Sequence, residues 1–204
     1  MRIFSFKPDT AKEVLEKSLK ILKAGGVIAY PTESFYALGV LAADEAAVKR
    51  LCQIKNRPLN KPLPLIVGDI EILRSVVKSV PLQTEILIGK FWPGPLTIIF
   101  ESVRGLPALL TGGSDRIAVR IPGESVALHL SRLARLPITA TSANPSGSVP
   151  ARSAQEVIDY FGESVDLVID AGETPGGKPS TIIDVTVTPL KILRAGRIDL
   201  QEYL

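Results

Sequence analysis

GGVIAYPTESFYALG, residues 25–39, is the stretch from which the architecture of the chain can be read. Gly25-Gly26 stops a helix, and VIAYP (27–31) has the apolar, β-branched character of a strand. Toward the N-terminus, Asp9 or Thr10 can cap a helix whose Val14, Leu15, Leu19 and Leu22 recur at three- and four-residue spacing. In the other direction a second helix opens at Asp44 with Val48, Leu51 and Cys52 on one side. It ends near Lys55, because Pro58 disfavours helix at the residue before it. Further strands are expected at 63–67, 96–101, 117–121, 137–142, 166–170, 181–187 and 191–194, with helices near 69–77, 82–90, 124–134 and 153–161. Strands alternating with helices predict an α/β or mixed α+β layer structure, with a two-sided sheet explaining the continuous apolar runs. No repeat or linker divides the sequence, so one domain over 1–204 is expected.

With 204 residues, 46% of them hydrophobic, the chain can build one sizeable core and is not a disordered protein. A single cysteine excludes an internal disulfide and fits a reducing cytosol. No segment has the length of an apolar membrane span or the pattern of a secretion signal, so a cytoplasmic protein that avoids membranes is expected. The formal charge of +3 permits a nucleic-acid partner without requiring one.

The common catalytic sets are missing. There is one histidine, His129, and no HExxH, CxxC or GxSxG pattern, so neither a metal cluster nor a Ser-His or Cys-His nucleophile can be assembled, and no metal site is expected. GETPGGK (172–178) has the spacing of a phosphate-binding P-loop, but Pro179 stands where the motif needs Ser or Thr, and a strand follows where it needs a helix. His129, Cys52 and Trp92 read as core or boundary residues.

What remains is a set of cations and hydroxyls at strand ends and loops: Lys55 and Arg57 after the second helix, Lys61 beyond them, Thr32 in PTES, Arg120 in AVRIP, Ser142 and Asn144 in TSAN, Ser180 in KPST, and Arg194 in LRAG. Singly each has an ordinary explanation: a helix-dipole partner, a turn former, or, for Arg120, an ion pair with Glu33, Asp115 or Glu124. Their joint order carries more. PTES-x-YxLG, KxRP with KPL, WPGPLT, VRIP, TSAN-x-SG, PST-x-xD and LRxG, over residues 25–198, resemble the YrdC-like threonylcarbamoyl-AMP synthases, whose signature pairs KxR with SxN.

That resemblance implies a twisted, mostly open α/β sheet with flanking helices around a concave basic cavity. It implies condensation of L-threonine, bicarbonate and ATP into threonylcarbamoyl-AMP and pyrophosphate, for threonylcarbamoyladenosine formation in tRNA by downstream transfer proteins. By position, Thr32, Arg120 and Ser180 match residues that hold threonine. Arg57, Lys61, Ser142, Asn144 and Arg194 match those at the nucleotide, with Lys55 beside its phosphates and Lys55 and Arg57 in the catalytic role. Mg²⁺ is expected to accompany ATP. Ser34 and Ala37 replace Thr and Gly of many relatives, and Lys61 stands for Asn in a segment that lacks a histidine, so one threonine contact has no counterpart. The competing reading is a non-catalytic protein that binds tRNA or double-stranded RNA on the same basic surface. A carbamoyl transferase like the related domain of hydrogenase-maturation proteins is a third, but their zinc-binding and acylphosphatase segments have no match here.

Overall fold

Strands and helices alternate much as the apolar pattern requires. A computed structural model describes residues 1–203, which form, in chain order, β1 (Arg2–Ser5), α1 (Ala11–Lys23), β2 (Ile28–Pro31), β3 (Tyr36–Gly39), α2 (Glu45–Ile54), β4 (Leu65–Ile66), α3 (Ile70–Arg74), α4 (Glu85–Phe91) and β5 (Leu96–Glu101). There follow α5 (Ala108–Thr111), β6 (Arg116–Arg120), α6 (Val126–Ala134), β7 (Ile138–Thr139), β8 (Thr141–Ser142), α7 (Ala154–Phe161), β9 (Leu167–Asp170), β10 (Thr181–Asp184) and β11 (Lys191–Arg194).

The class is mixed α/β, with the strands in two sheets rather than one. The first has the order β1-β9-β2-β3-β8 and the second β11-β10-β5-β6-β4-β7. Both mix parallel pairs, such as β1 with β9 and β5 with β10, with antiparallel ones, such as β2 with β3 and β5 with β6.

The expected single strand 137–142 is broken at Ala140. Thr139 pairs with Leu65 in the second sheet, whereas Thr141 pairs with Leu38 in the first, so five residues join the two sheets. Gly39 makes this join possible: a Cβ there would lie 2.6 Å from the Thr139 carbonyl oxygen and 2.7 Å from the Tyr30 ring. β1, β3 and α5 were not expected, being too short, or too polar at their start, to stand out in a periodicity window. Thr10 begins α1 but does not cap it. Its hydroxyl donates to Ser5 O at 2.9 Å and accepts from Lys7 N at 3.0 Å, closing the preceding turn. Asp44 does cap α2, accepting from Ala47 N at 2.9 Å.

The strands β2, β3 and β9 of the first sheet are buried on both faces, and the two-residue period shows it. Ile28, Tyr30, Leu167 and Ile169 pack with Val14 and Leu22 of α1 and Leu130 of α6, while the alternate residues Ala29, Leu38 and Val168 join the main core with Leu51 of α2 and Val157 of α7. In the second sheet Leu96, Ile98, Val119 and Ile183 enter that main core. Their neighbours Thr97, Ile99, Ala118, Arg120 and Ile182 point the other way, into a cavity.

Candidate active site

The cavity has a volume of about 480 Å³, within the range of small-molecule sites. Its floor is the outward face of β5, β6 and β10. Its walls are the turn between β2 and β3, the exit from α2, and the Thr141-Ser142 and Pro179-Ser180 segments. Of the nine residues expected at a site, Thr32, Arg57, Lys61, Arg120, Ser142, Ser180 and Arg194 line it. No carboxylate of the described residues lines it, so four cations face one another across it.

Each is placed by local chain chemistry. α2 ends at Ile54, and Asn56 adopts φ +50°, which turns the chain so that Lys55 points inward and Arg57 toward the cavity. Arg57 Nη2 donates to Pro62 O at 2.6 Å, holding the 57–62 loop, while Lys61 stays exposed. Thr32 Oγ1 donates to Phe35 O at 2.8 Å and accepts from Ser34 N at 3.2 Å, so this hydroxyl shapes the very turn it presents. Ser180 is a hub: its hydroxyl lies 2.9 Å from Thr97 Oγ1 and 2.9 Å from Arg194 Nη2, and its carbonyl accepts from the same guanidinium at 2.8 Å.

Lys55 and Asn144 lie behind the wall. The Lys55 side chain is 2% exposed, and its ammonium donates to Ser142 O and, at 2.6 Å, to Asn144 O. Ser142 Oγ in turn donates to Asn144 Oδ1 at 2.5 Å, and Asn144 Nδ2 donates to Ser148 O at 2.6 Å. KxR and SxN are therefore one structural unit. The lysine of the first clamps the loop of the second, and its charge reaches the cavity through that loop rather than by direct contact. Burial first, then the nearby charges of Arg57 and Lys61, push the Lys55 ammonium down to about 7.

Two participants were missed in the sequence and a third was left among alternatives. Thr97 had a legible signal, since strand alternation in LTIIFE sets it opposite Leu96 and Ile98. Arg197, whose guanidinium donates to the main-chain oxygens of Glu33, Lys178 and Gly176, had none. Glu33 was named only as one of several partners for Arg120, and it is the one that pairs with it. The 172–178 segment is a helix-free loop tied to Tyr36, whose hydroxyl donates to Gly172 O at 2.8 Å, and it takes no part in the cavity wall before Pro179. Trp92 packs in the core, its Nε1 donating to Leu96 O at 2.6 Å, and His129 pairs with Glu124 at the surface. A second cavity, of about 560 Å³ between Ile70 and Gly89, contains none of the expected residues and no comparable set of cations.

Among the described residues no group of His, Cys, Asp or Glu could hold a metal ion, and no helix is long and apolar enough to cross a membrane. The cavity is thus built to bind anions and to place hydroxyl and cationic donors around them. Among the described residues its lining offers no His or carboxylate to activate a hydroxyl as a nucleophile.

Comparison with known proteins agrees in its direction. The Sua5/YciO/YrdC family, described as "Telomere recombination", matches over residues 20–196. The threonylcarbamoyl-AMP synthase of Pyrococcus abyssi is 41% identical over 181 residues, covering 89% of this chain and 53% of that protein. The chain therefore spans about half the length of this relative. The threonylcarbamoyl-AMP synthase of Idiomarina loihiensis is 39% identical over 161 residues, covering 78% of this chain and 87% of its own. Among solved structures, the crystal structure of P. abyssi Sua5 complexed with L-threonine has a TM-score of 0.94 at 38% identity, covering 99% of this chain and 59% of that one.

Proposed function

This chain belongs to the Sua5/YciO/YrdC family, and from that premise we propose that it is an L-threonylcarbamoyladenylate synthase, a nucleotidyltransferase whose residues 1–204 form one domain. The observation that carries the reading is the convergence of seven separately placed cations and hydroxyls on one cavity. The reaction needs no protein nucleophile. The neutral threonine amine attacks bicarbonate, or CO₂ derived from it, and the amine proton leaves with the bicarbonate hydroxyl as water. The resulting carbamate oxygen attacks the α-phosphate of ATP, and pyrophosphate leaves.

The protein's part is alignment and charge. Arg120 takes the threonine carboxylate through a paired hydrogen bond, with Thr32 and Ser180 around the rest of the amino acid. Arg57, Lys61 and Arg194 offset the polyphosphate and the charge growing on the leaving pyrophosphate. Ser142 meets the nucleotide from the cavity wall, in the loop form that Asn144 and Lys55 hold from behind it. Aligning two substrates in a partly enclosed cavity supplies much of the acceleration, because aligned groups react at large effective concentrations. Mg²⁺ arrives as part of the ATP substrate, held by phosphate oxygens and water, since the cavity wall has no carboxylate to hold it. The product serves tRNA threonylcarbamoylation by downstream proteins in the cytoplasm. A purely RNA-binding role would use the cations and leave Thr32, Thr97 and Ser180 without purpose.

The test is pyrophosphate release by the purified chain with ATP, Mg²⁺ and bicarbonate. Release that depends on L-threonine, and that serine and alanine support weakly, is expected. Release that ignores the amino acid, or none from folded protein, would sink the proposal.

A further inference from the structure

Of the four cations that line the cavity, Arg120 is the only one with a carboxylate within ion-pair distance among the described residues. Its Nη1 donates to Glu33 Oε1, and the two side chains are 10% and 14% exposed. Arg57, Lys61 and Arg194 meet only neutral groups or solvent. Glu33 is also unusual in itself: its second oxygen, Oε2, is buried with no hydrogen-bond partner among the described residues. Its main-chain oxygen accepts from Arg197 Nη1 at 3.0 Å, which fixes the turn that carries it. A half-satisfied buried carboxylate is costly, and its charge is not absorbed by donors other than Arg120.

A cavity meant only for phosphates has no use for that charge, because bare cations hold phosphate better. A zwitterionic ligand differs. It needs the cation for its carboxylate, yet its ammonium is repelled by a wholly positive cavity. We infer that Glu33 is a specificity determinant that reserves the Arg120 end of the cavity for an α-amino acid and denies it to simple anions. The inference rests on the amino-acid reading of that end given above. A net anion bound to Arg120 feels the full repulsion of Glu33, whereas a zwitterion carries a compensating charge, so removing the carboxylate helps the anion more. Glu33 thereby divides one basic cavity into an amino-acid end and a polyphosphate end.

The experiment is calorimetric titration of the full chain with L-threonine, with 3-hydroxybutanoate, which is threonine without its amine, and with inorganic phosphate. Wild type, Glu33→Gln and Glu33→Asp are compared. The Gln variant keeps an acceptor for Arg120 and loses the charge. Its preference for threonine over 3-hydroxybutanoate should fall about tenfold, a change of about 1.4 kcal/mol, and phosphate should bind about tenfold tighter. The Asp variant, with the charge drawn back by one methylene, should lie between. An unchanged preference in folded Gln variant would overturn the inference and leave Glu33 a structural ion-pair partner. If only the Asp variant folds, a preference below wild type supports the inference and one equal to it overturns it. If wild type binds no L-threonine, the amino-acid reading fails on its own. The phosphate arm then decides whether Glu33 excludes anions: tighter phosphate binding in the Gln variant upholds exclusion, and no gain ends it.

Discussion

The ammonium of Lys55, at the end of α2, donates to the main-chain oxygen of Ser142, the last residue of β8 and 87 positions further along the chain. One side chain thus joins the two halves of the KxR and SxN signature. A lysine buried this deeply loses hydration of its charge, and neighbouring Arg57 and Lys61 add repulsion.

The sign of the resulting pH dependence follows. The folded ammonium gives up its proton near pH 7, whereas in the unfolded chain it does so near 10.5. Between those values the unfolded state holds more protons, so stability rises with pH across that window, by up to about 1.4 kcal/mol per unit. Lys55→Met should flatten the slope between pH 7.5 and 9.5 by that amount in urea unfolding. It should also raise the KM for ATP about tenfold by freeing the 142–148 loop. Equal slopes in the two proteins would show that Lys55 keeps its ordinary affinity for the proton.

Arg120→Lys retains the charge beside Glu33 but loses the planar fork that can grip a carboxylate at two points. The KM for threonine should rise at least tenfold while that for ATP stays within twofold. Steady-state pyrophosphate release with each substrate varied in turn measures both, and parallel losses would count against the assignment of Arg120.

Thr97→Val removes a hydroxyl and keeps the shape. Because Thr97 Oγ1 lies 2.9 Å from Ser180 Oγ, its loss should cost about 1 kcal/mol of stability. It should also weaken threonine binding three- to tenfold through a less constrained Ser180. Calorimetric binding of threonine tests this; full affinity in the Val variant would mean that Ser180 needs only Arg194.

Arg57→Ala should weaken ATP about tenfold, and the remaining affinity should depend less on salt, since one phosphate-facing charge is gone. Titrations at two ionic strengths give the comparison. An unchanged salt dependence would place Arg57 away from the phosphates.

Lys178→Ala tests the rejected P-loop reading. Lys178 is exposed and does not line the cavity, so KM for ATP should stay within twofold. A large loss would restore the 172–178 loop as a phosphate cradle.

Much of this was legible in the sequence because helix and strand periods are local. α1, α2, α6 and α7 fall where their apolar spacing puts them, and continuous apolar, β-branched runs gave most of the buried strands. What lay beyond reach were relationships set by distant contacts. The break at Ala140 depends on which sheet edge each neighbour finds, and nothing in PITATS marks it. The inward turn of Lys55 depends on a left-handed Asn56, a conformation that asparagine tolerates but does not announce. Glu33 could be named as a partner for Arg120 but not preferred over Asp115 or Glu124, because the two sheets bring the pair together.

The strand order of the first sheet also sets a schedule for synthesis. β1 and β2 do not touch as neighbours; β9 lies between them and pairs with both. While the ribosome is still making residues before 167, β2 has one open edge and β1 has no partner at all. A nascent chain in that state exposes strand edges of the kind that draw chaperones or aggregate. Thr32 and Arg120 are translated before β9, whereas Ser180 and Arg194 follow it. The cavity therefore cannot be completed until residue 194 has left the ribosome.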